Sequence, residues 1–416
     1  MPFDKIFESN KFKTICRDLY GEYNDEIVKT YQGLVDMHVK ELGFEPEGFY
    51  SASGRIEIVG NHTDHNAGKV LCAAITVDTL SAVSRRDDGK IMIKSHGYPA
   101  MNVNVNDVTF KMSEVGTSTA IIKGVLDYYI RAGKKVGGFN AYTTSNVPKG
   151  SGVSSSSAFE LLIAEILNVL YNDGQLDKVF KAKASQYSEC AFFGKPCGLM
   201  DQSAISLGGV NKIDFYSFEN PEITGADWKF DDLDVYVIAT GGDHCDLTDD
   251  YAAIPAEMKS VAEALGGKLL RDVAPEKFYQ EKANLVGKVS DRAILRAEHY
   301  YEENLRVERA YDAVVRGDEQ AFLDAVNESG ESSRYKLQNL YSPKGKSHAL
   351  EDALDRVAVI DGVVGKRVHG GGFAGTILVF VKKASSNDAN DKFKSLFGEN
   401  NVFRLSIRSS GATRVF

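Results

Sequence analysis

From Val147 to Glu160 the chain reads Val-Pro-Lys-Gly-Ser-Gly-Val-Ser-Ser-Ser-Ser-Ala-Phe-Glu, and a long apolar stretch over 161–170 follows directly. Small residues let a backbone fold tightly, so that several N–H groups point at one spot. The apolar stretch predicts a buried helix. Its N-terminus adds unpaired N–H groups and about half a unit of positive charge. Together they make a phosphate cradle from Gly150, Ser151, Gly152, Val153, Ser154, Ser155 and Ser156, with serine hydroxyls able to bond phosphate or a metal. A serine-rich linker or an ordinary capped helix is the plainer reading. Linkers, however, seldom run straight into so apolar a stretch. No GxxxxGK[ST] loop occurs, and Gly150-Ser151-Gly152 does not fit GxGxxG.

Three further segments are dense in polar and glycine residues beside apolar strands. Gly54-Arg55-Ile56-Glu57-Ile58-Val59-Gly60-Asn61-His62-Thr63-Asp64-His65-Asn66-Ala67-Gly68 follows a strand and ends in a turn. Asn61, His62, Asp64 and His65 offer donors and acceptors suited to a polyhydroxylated ligand. They also supply metal-ligand types, but neighbours on extended chain face opposite ways, which sets Asp64 and His65 apart. A plain polar turn is the third reading. In Gly194-Lys195-Pro196-Cys197-Gly198-Leu199-Met200-Asp201-Gln202, an acid sits in a Gly/Pro-held loop. Such a partly desolvated carboxylate can act as a base or orient a hydroxyl, or simply cap a helix. The fourth segment, glycine-rich 370–375, precedes a strand and could be a tight turn alone.

The elements that position these segments follow from periodicity. Residues 1–47 carry apolar side chains at helical spacing, and 49–86 read as strands and turns. Strands are predicted at 101–105, 138–145, 204–215, 235–239, 366–368 and 376–381. Helices are predicted at 120–132, after the serine loop, and over 175–193, 249–264, 289–315, 318–341 and 348–361. Strand and helix alternate too irregularly for an all-parallel sheet, so an α+β architecture is expected. A polar, turn-rich stretch at 216–232 suggests domains of 1–215 and 216–416.

Composition narrows the function classes. A net charge of −9 argues against broad nucleic-acid binding, which needs clustered cations. Five cysteines, at 16, 72, 190, 197 and 245, are scattered without a CxxC pair, so free and mostly buried thiols are expected. No apolar run reaches 18 residues, and the first residues hold no signal core. A cytoplasmic protein without membrane or nucleic-acid partners, monomeric or weakly self-associating, is the expectation.

Taken in order, the four segments resemble the GHMP kinase superfamily, and within it the galactokinase family. Gly54–Gly68 resembles GR-x-N-L-I-G-E-H-T-D-Y-N-x-G. Residues 148–160 resemble P-x-G-A-G-L-S-S-S-A-A-x-E, 197–202 match C-G-x-M-D-Q, and 367–375 are similar to R-x-x-G-G-G-F-G-G. The resemblance implies a ribosomal protein S5 domain 2-like N-terminal domain and a ferredoxin-like C-terminal α/β sandwich, with the active site between them. It implies ATP-dependent phosphorylation of a sugar's anomeric hydroxyl, with Mg²⁺. Asp201 would be catalytic with Arg55 beside it. Ser156 and Glu189, the latter twelve residues before Asp201, would hold the metal. Asn61, His62, Asp64, Gly198, Asp201 and Tyr251 would contact the sugar.

Departures from the family pattern fall at the sugar segment. The family Glu is Asn61 here, the family Asn is Glu57, and the family Tyr is His65. A hydrogen bond to a charged group is worth about 1.5–3 kcal/mol and a neutral one about 0.5–1.5 kcal/mol. Asn61 is thus expected to hold a sugar's outer hydroxyl more weakly than an acid. That leaves galactose, galacturonate, arabinose and N-acetylgalactosamine open. Restoring the acid at 61 is expected to leave galactose turnover similar or better. A non-catalytic sugar sensor is a further reading, opposed by the full-length serine loop and the presence of both Arg55 and Asp201.

Overall fold

The computed structural model describes residues 3–148, 152–195, 197–241, 247–343 and 347–416. Its strands are β1 (Gly48–Val59), β2 (Lys69–Arg86), β3 (Lys90–Ser95), β4 (Met101–Asn104), β5 (Gly138–Ser145), β6 (Val210–Asp214), β7 (Glu222–Ala226), β8 (Leu233–Ala239), β9 (Val363–His369), β10 (Thr376–Lys382), β11 (Val402–Leu405) and β12 (Thr413–Arg414). Among the helices, α1 (Phe3–Phe7), α2 (Asn10–Tyr20) and α3 (Asp25–Leu42) precede β1, and α4 (Ser118–Arg131) precedes β5. α5 (Ser155–Tyr171), α6 (Lys178–Tyr187) and α7 (Met200–Leu207) follow. The rest are α8 (Thr248–Ala264), α9 (Pro275–Leu285), α10 (Asp291–Arg316), α11 (Glu319–Ser332), α12 (Ala349–Ala358) and α13 (Ser386–Phe397). This is the expected α+β class.

Two sheets organise the chain. The first runs β12-β1-β2-β5-β3-β4, with β6 also on β2 and β7 on β6. The second, β11-β8-β10-β9, is antiparallel throughout. β1 is buried along its whole length because its sheet is covered by α5 and α7. The β1–β2 register slips between Ser53 and Arg55 and again between Glu57 and Val59. Such irregularities re-aim side chains. Here they bracket Arg55 and Glu57, which stay paired with β2 while their side chains reach the site.

Several expectations are corrected. The strand expected over 204–215 is α7 followed by β6. Met200 and Ala204 pack with Val70, Cys72 and Ile213, and the Gly208-Gly209 pair, at φ 75° and 64°, then breaks the helix. The helix expected over 318–341 stops at Ser332, runs through a wide turn at Ser333–Leu337, and ends at Gln338 with φ 56°. α9, α13 and four short strands were not legible from periodicity. The first sheet also continues past residue 215. β7 pairs with β6 in the first sheet, and the last strand, β12, returns to β1. Arg408 on that return bonds Asp78 at 3.3 Å, both side chains buried. Of the described cysteines Cys16 and Cys72 are buried, whereas Cys190 is exposed. Among the described residues no helix is long and apolar enough to cross a membrane.

Candidate active site

Arg55 leaves the bulged part of β1 and meets Asp201 at the start of α7. Nε donates to Oδ1 at 2.8 Å and Nη2 to Oδ2 at 2.6 Å, a two-pronged ion pair. A third donor, Nη1, goes to the carbonyl of Gly152. The Arg55 side chain is 7% exposed and that of Asp201 29%, so the carboxylate opens outward while its partner is sealed behind it. Burial alone would raise the Asp201 carboxyl. The Arg55 charge, with hydrogen bonds from Arg55 and Ser154, overrides burial and holds it below its ordinary value.

Ser154 joins this pair to the phosphate loop. It precedes α5 with φ 64° and ψ 56°, a left-handed conformation uncommon for serine. Its hydroxyl makes no helix cap and instead donates to Asp201 Oδ2. Strain of this kind costs on the order of 1–3 kcal/mol and persists where surroundings over-determine it. Gly54 supplies the close approach. A Cβ there would lie 2.9 Å from the Val153 carbonyl, which accepts the Arg55 N–H at 3.2 Å. Gly152 is exposed at φ 69°, and Ser155 and Ser156 open α5, half-buried. Gly150 and Ser151 lie outside the described residues.

Ser156 Oγ donates to Glu189 Oε1 at 3.3 Å, and Lys195 Nζ reaches the same oxygen at 3.0 Å. Gln202, next to Asp201, holds Glu189 Oε2 at 2.7 Å. The predicted metal ligands therefore sit together as two hard oxygen donors, the donor type Mg²⁺ takes. Gln202 also reaches Glu160 at 3.3 Å, one turn beyond Ser156. Burial, then the Glu189 charge, pushes the Glu160 carboxyl well above its ordinary value.

Residues 57–62 are gripped from distant parts of the chain. Glu57 Oε1 accepts Arg367 Nη2 at 2.9 Å and Asn61 Nδ2 at 3.0 Å. Asn61 Nδ2 also donates to the Gly370 carbonyl at 2.8 Å, and its Oδ1 accepts Asn339 Nδ2 at 2.8 Å. Glu303 on α10 takes the backbone N–H groups of Gly60 and Asn61. His299 Nε2 meets the Asn61 carbonyl at 2.9 Å, His62 Nε2 the Gly371 carbonyl at 2.8 Å, and Glu57 N–H donates to His369 Nε2 at 3.2 Å. Burial keeps His62 neutral, its value lowered to about 4.

Asn61 was expected to hold a sugar's outer hydroxyl. It is 1% exposed, and its amide is occupied by Glu57, Gly370 and Asn339 rather than presented to a ligand. The missing family acid has changed places with the family amide, and the two side chains bond each other. Asp64 and Gly198 lie against each other: a Cβ on Gly198 would lie 2.2 Å from Asp64 Oδ2. The Tyr251 hydroxyl donates to the Gly372 carbonyl at 2.9 Å, and its ring lies against Gly371. His65 is exposed. The motif reading missed Lys195, Gln202, Glu303, His299, Asn339 and His369. Lys195, Gln202 and His369 lie inside the segments it singled out, whereas His299, Glu303 and Asn339 lie outside all four.

Comparison with known proteins converges on these segments. A family model described as GHMP kinases N terminal domain matches residues 120–209, and one described as galactokinase galactose-binding signature matches residues 36–85. The chain is 31% identical to a galactokinase of Clostridium tetani, covering 80% of this chain and 84% of that one. It is 31% identical to a galactokinase of Homo sapiens, covering 90% and 93%. Among solved structures, Lactococcus lactis galactokinase complexed with galactose superposes with a TM-score of 0.79 at 23% identity, over 92% of this chain and 99% of that one. Methanococcus jannaschii mevalonate kinase gives 0.60 at 15%, over 86% and 98%.

Proposed function

The chain belongs to the galactokinase family of GHMP kinases, and we propose that it transfers the terminal phosphoryl group of ATP to the anomeric hydroxyl of galactose. The observation that carries this reading is the outward-facing Asp201 carboxylate, held ionised by Arg55 and tied by Ser154 to the phosphate loop.

Phosphoryl transfer needs alignment and charge compensation more than covalent help. Asp201 orients the sugar hydroxyl and takes its proton as the bond to phosphorus forms. Arg55 keeps that carboxylate charged and offsets charge on the transferring group. N–H groups at the start of α5 receive the phosphates. Ser156 and Glu189 would hold Mg²⁺, which when bound neutralises phosphate charge. Lys195 is bonded to Glu189 and places a cation beside the same oxygens. At the sugar end, Asp64 lies against Gly198, three residues before Asp201 in the chain, and His62 and Tyr251 are fixed against the 370–372 glycines.

A coupled ADP-release assay over hexoses, pentoses and uronic acids tests the substrate. Galactose is expected to give the highest kcat/KM. A tenfold or greater preference for galacturonate, arabinose or N-acetylgalactosamine would replace galactose in this account.

A further inference from the structure

Cys190 and Cys197 were expected to be unrelated thiols, yet their sulfurs lie 3.6 Å apart. The approach is built by the chain. Cys190 sits in a wide helical turn, Ser188–Phe193, and Gly194 at φ 85° folds the following segment back. Lys195 N–H bonds the Glu189 carbonyl at 3.0 Å, and Gln186 Nε2 holds the Cys197 carbonyl at 3.2 Å. Cys190 is exposed and Cys197 half-buried. The pair therefore has one accessible sulfur and one resolving sulfur behind it. The same segment carries the site: Glu189 precedes Cys190, Gly198 follows Cys197, and Gln202 Nε2 lies 3.8 Å from Cys197 Sγ while it bonds Glu189.

We propose that Cys190 and Cys197 form a reversible intramolecular disulfide with a small-molecule disulfide as oxidant, and that closing it slows the enzyme. The Cys190 thiolate attacks one sulfur of oxidised glutathione, whose S–S bond breaks and releases one glutathione thiolate. Cys197 thiolate then attacks the Cys190 sulfur and expels the second. Two protein thiols are oxidised, one glutathione disulfide is reduced to two thiols, and the two protons pass to the leaving thiolates. Closure shortens the sulfur separation from 3.6 Å to about 2.05 Å, which the 189–198 segment must absorb. Gly198 has no room to shift toward Asp64, so the strain falls on the sugar side.

The test is incubation of the native chain with oxidised glutathione, alkylation, and mass analysis of the tryptic peptide 184–212. That peptide stays whole because Lys195 precedes Pro196, a bond trypsin does not cut. The expected peptide is unalkylated and lighter by two hydrogens. In parallel, sugar kcat/KM falls about tenfold or more, in line with the cost of an ångström-scale misplacement. Dithiothreitol restores both, and Cys190→Ser keeps its activity under oxidant. A doubly alkylated peptide, or one carrying only bound glutathione, overturns the proposal. So does a disulfide that leaves turnover unchanged, or equal inactivation of Cys190→Ser. The activity arm rests on the sugar-kinase reading; the mass arm does not, so failure of one is distinguishable from failure of the other.

Discussion

Glu57 and Asn61 show how much a single position depends on its partner. With an amide at 61, one Nδ2 serves both the Glu57 carboxylate and the Gly370 carbonyl. Asn61→Glu would set two carboxylates, its own and that of Glu57, roughly 3 Å apart, a repulsion of about 5.5 kcal/mol at an effective dielectric of ~20. The single variant is therefore expected to lose several kcal/mol of stability, against the simpler expectation from the family pattern. The double variant Glu57→Asn/Asn61→Glu is expected to recover at least half of that loss. Urea midpoints for both singles and the double close the cycle. A fully stable Asn61→Glu, or a double no better than the single, would show that the exchange is not a coupled pair. Glu160 gives a pH test. Its folded-state value is raised, so its contribution to stability is full below the ordinary value of 4.5 and is lost as pH rises through the folded value. Glu160→Gln removes that loss. In metal-free buffer, the variant's thermal midpoint minus that of wild type should grow more positive from pH 5 to pH 8.5. A difference that stays flat would mean Glu160 does not titrate in this window.

At the level of elements, the start of α5 and the start of α7 make the candidate site. The serine loop announced itself because a phosphate cradle is local: its glycines, serines and helix lie within one stretch of chain. Asp201 was legible for the same reason, although the helix it opens was not. Gln202, Ser203 and Ser206 break the apolar pattern of α7 because these buried polar residues serve packing or the site rather than a solvent face. The grip on residues 57–62 was illegible for a deeper reason. Its partners, Arg367, Asn339, His299 and Glu303, stand more than 230 residues away, and only the fold brings them there. The pairing of Ser156 with Glu189 joins α5 to the turn before α7 and predicts a shared role. Ser156→Ala and Glu189→Gln should each raise the Mg²⁺ concentration needed for half-maximal activity by about tenfold, the equivalent of about 1.4 kcal/mol, without altering sugar preference. A magnesium titration superimposable on wild type for both would remove them from the metal site.

Across the whole molecule, two sheets and the long helix α10 bring β1, the phosphate loop, α7 and the 370–375 glycines to one junction. β1 carries Arg55 and Glu57 to it, α7 brings Asp201, and β9 brings Arg367 and His369 from the second sheet. The C-terminal return through Arg408 to Asp78 ties the last residues to the first sheet, so the two domains share more than a linker. Function is therefore assigned to the assembled junction, and the most direct test is the identity of its product. Wild-type chain with galactose, ATP and Mg²⁺ should yield a phosphorus NMR signal split by the anomeric proton, the mark of a sugar 1-phosphate. Asp201→Asn should cut that rate by about 10²–10⁴-fold while still binding nucleotide, because the carboxylate acts on the sugar and not on ATP. A product phosphorylated at another hydroxyl, or an Asp201→Asn rate within a few-fold of wild type, would contradict the account.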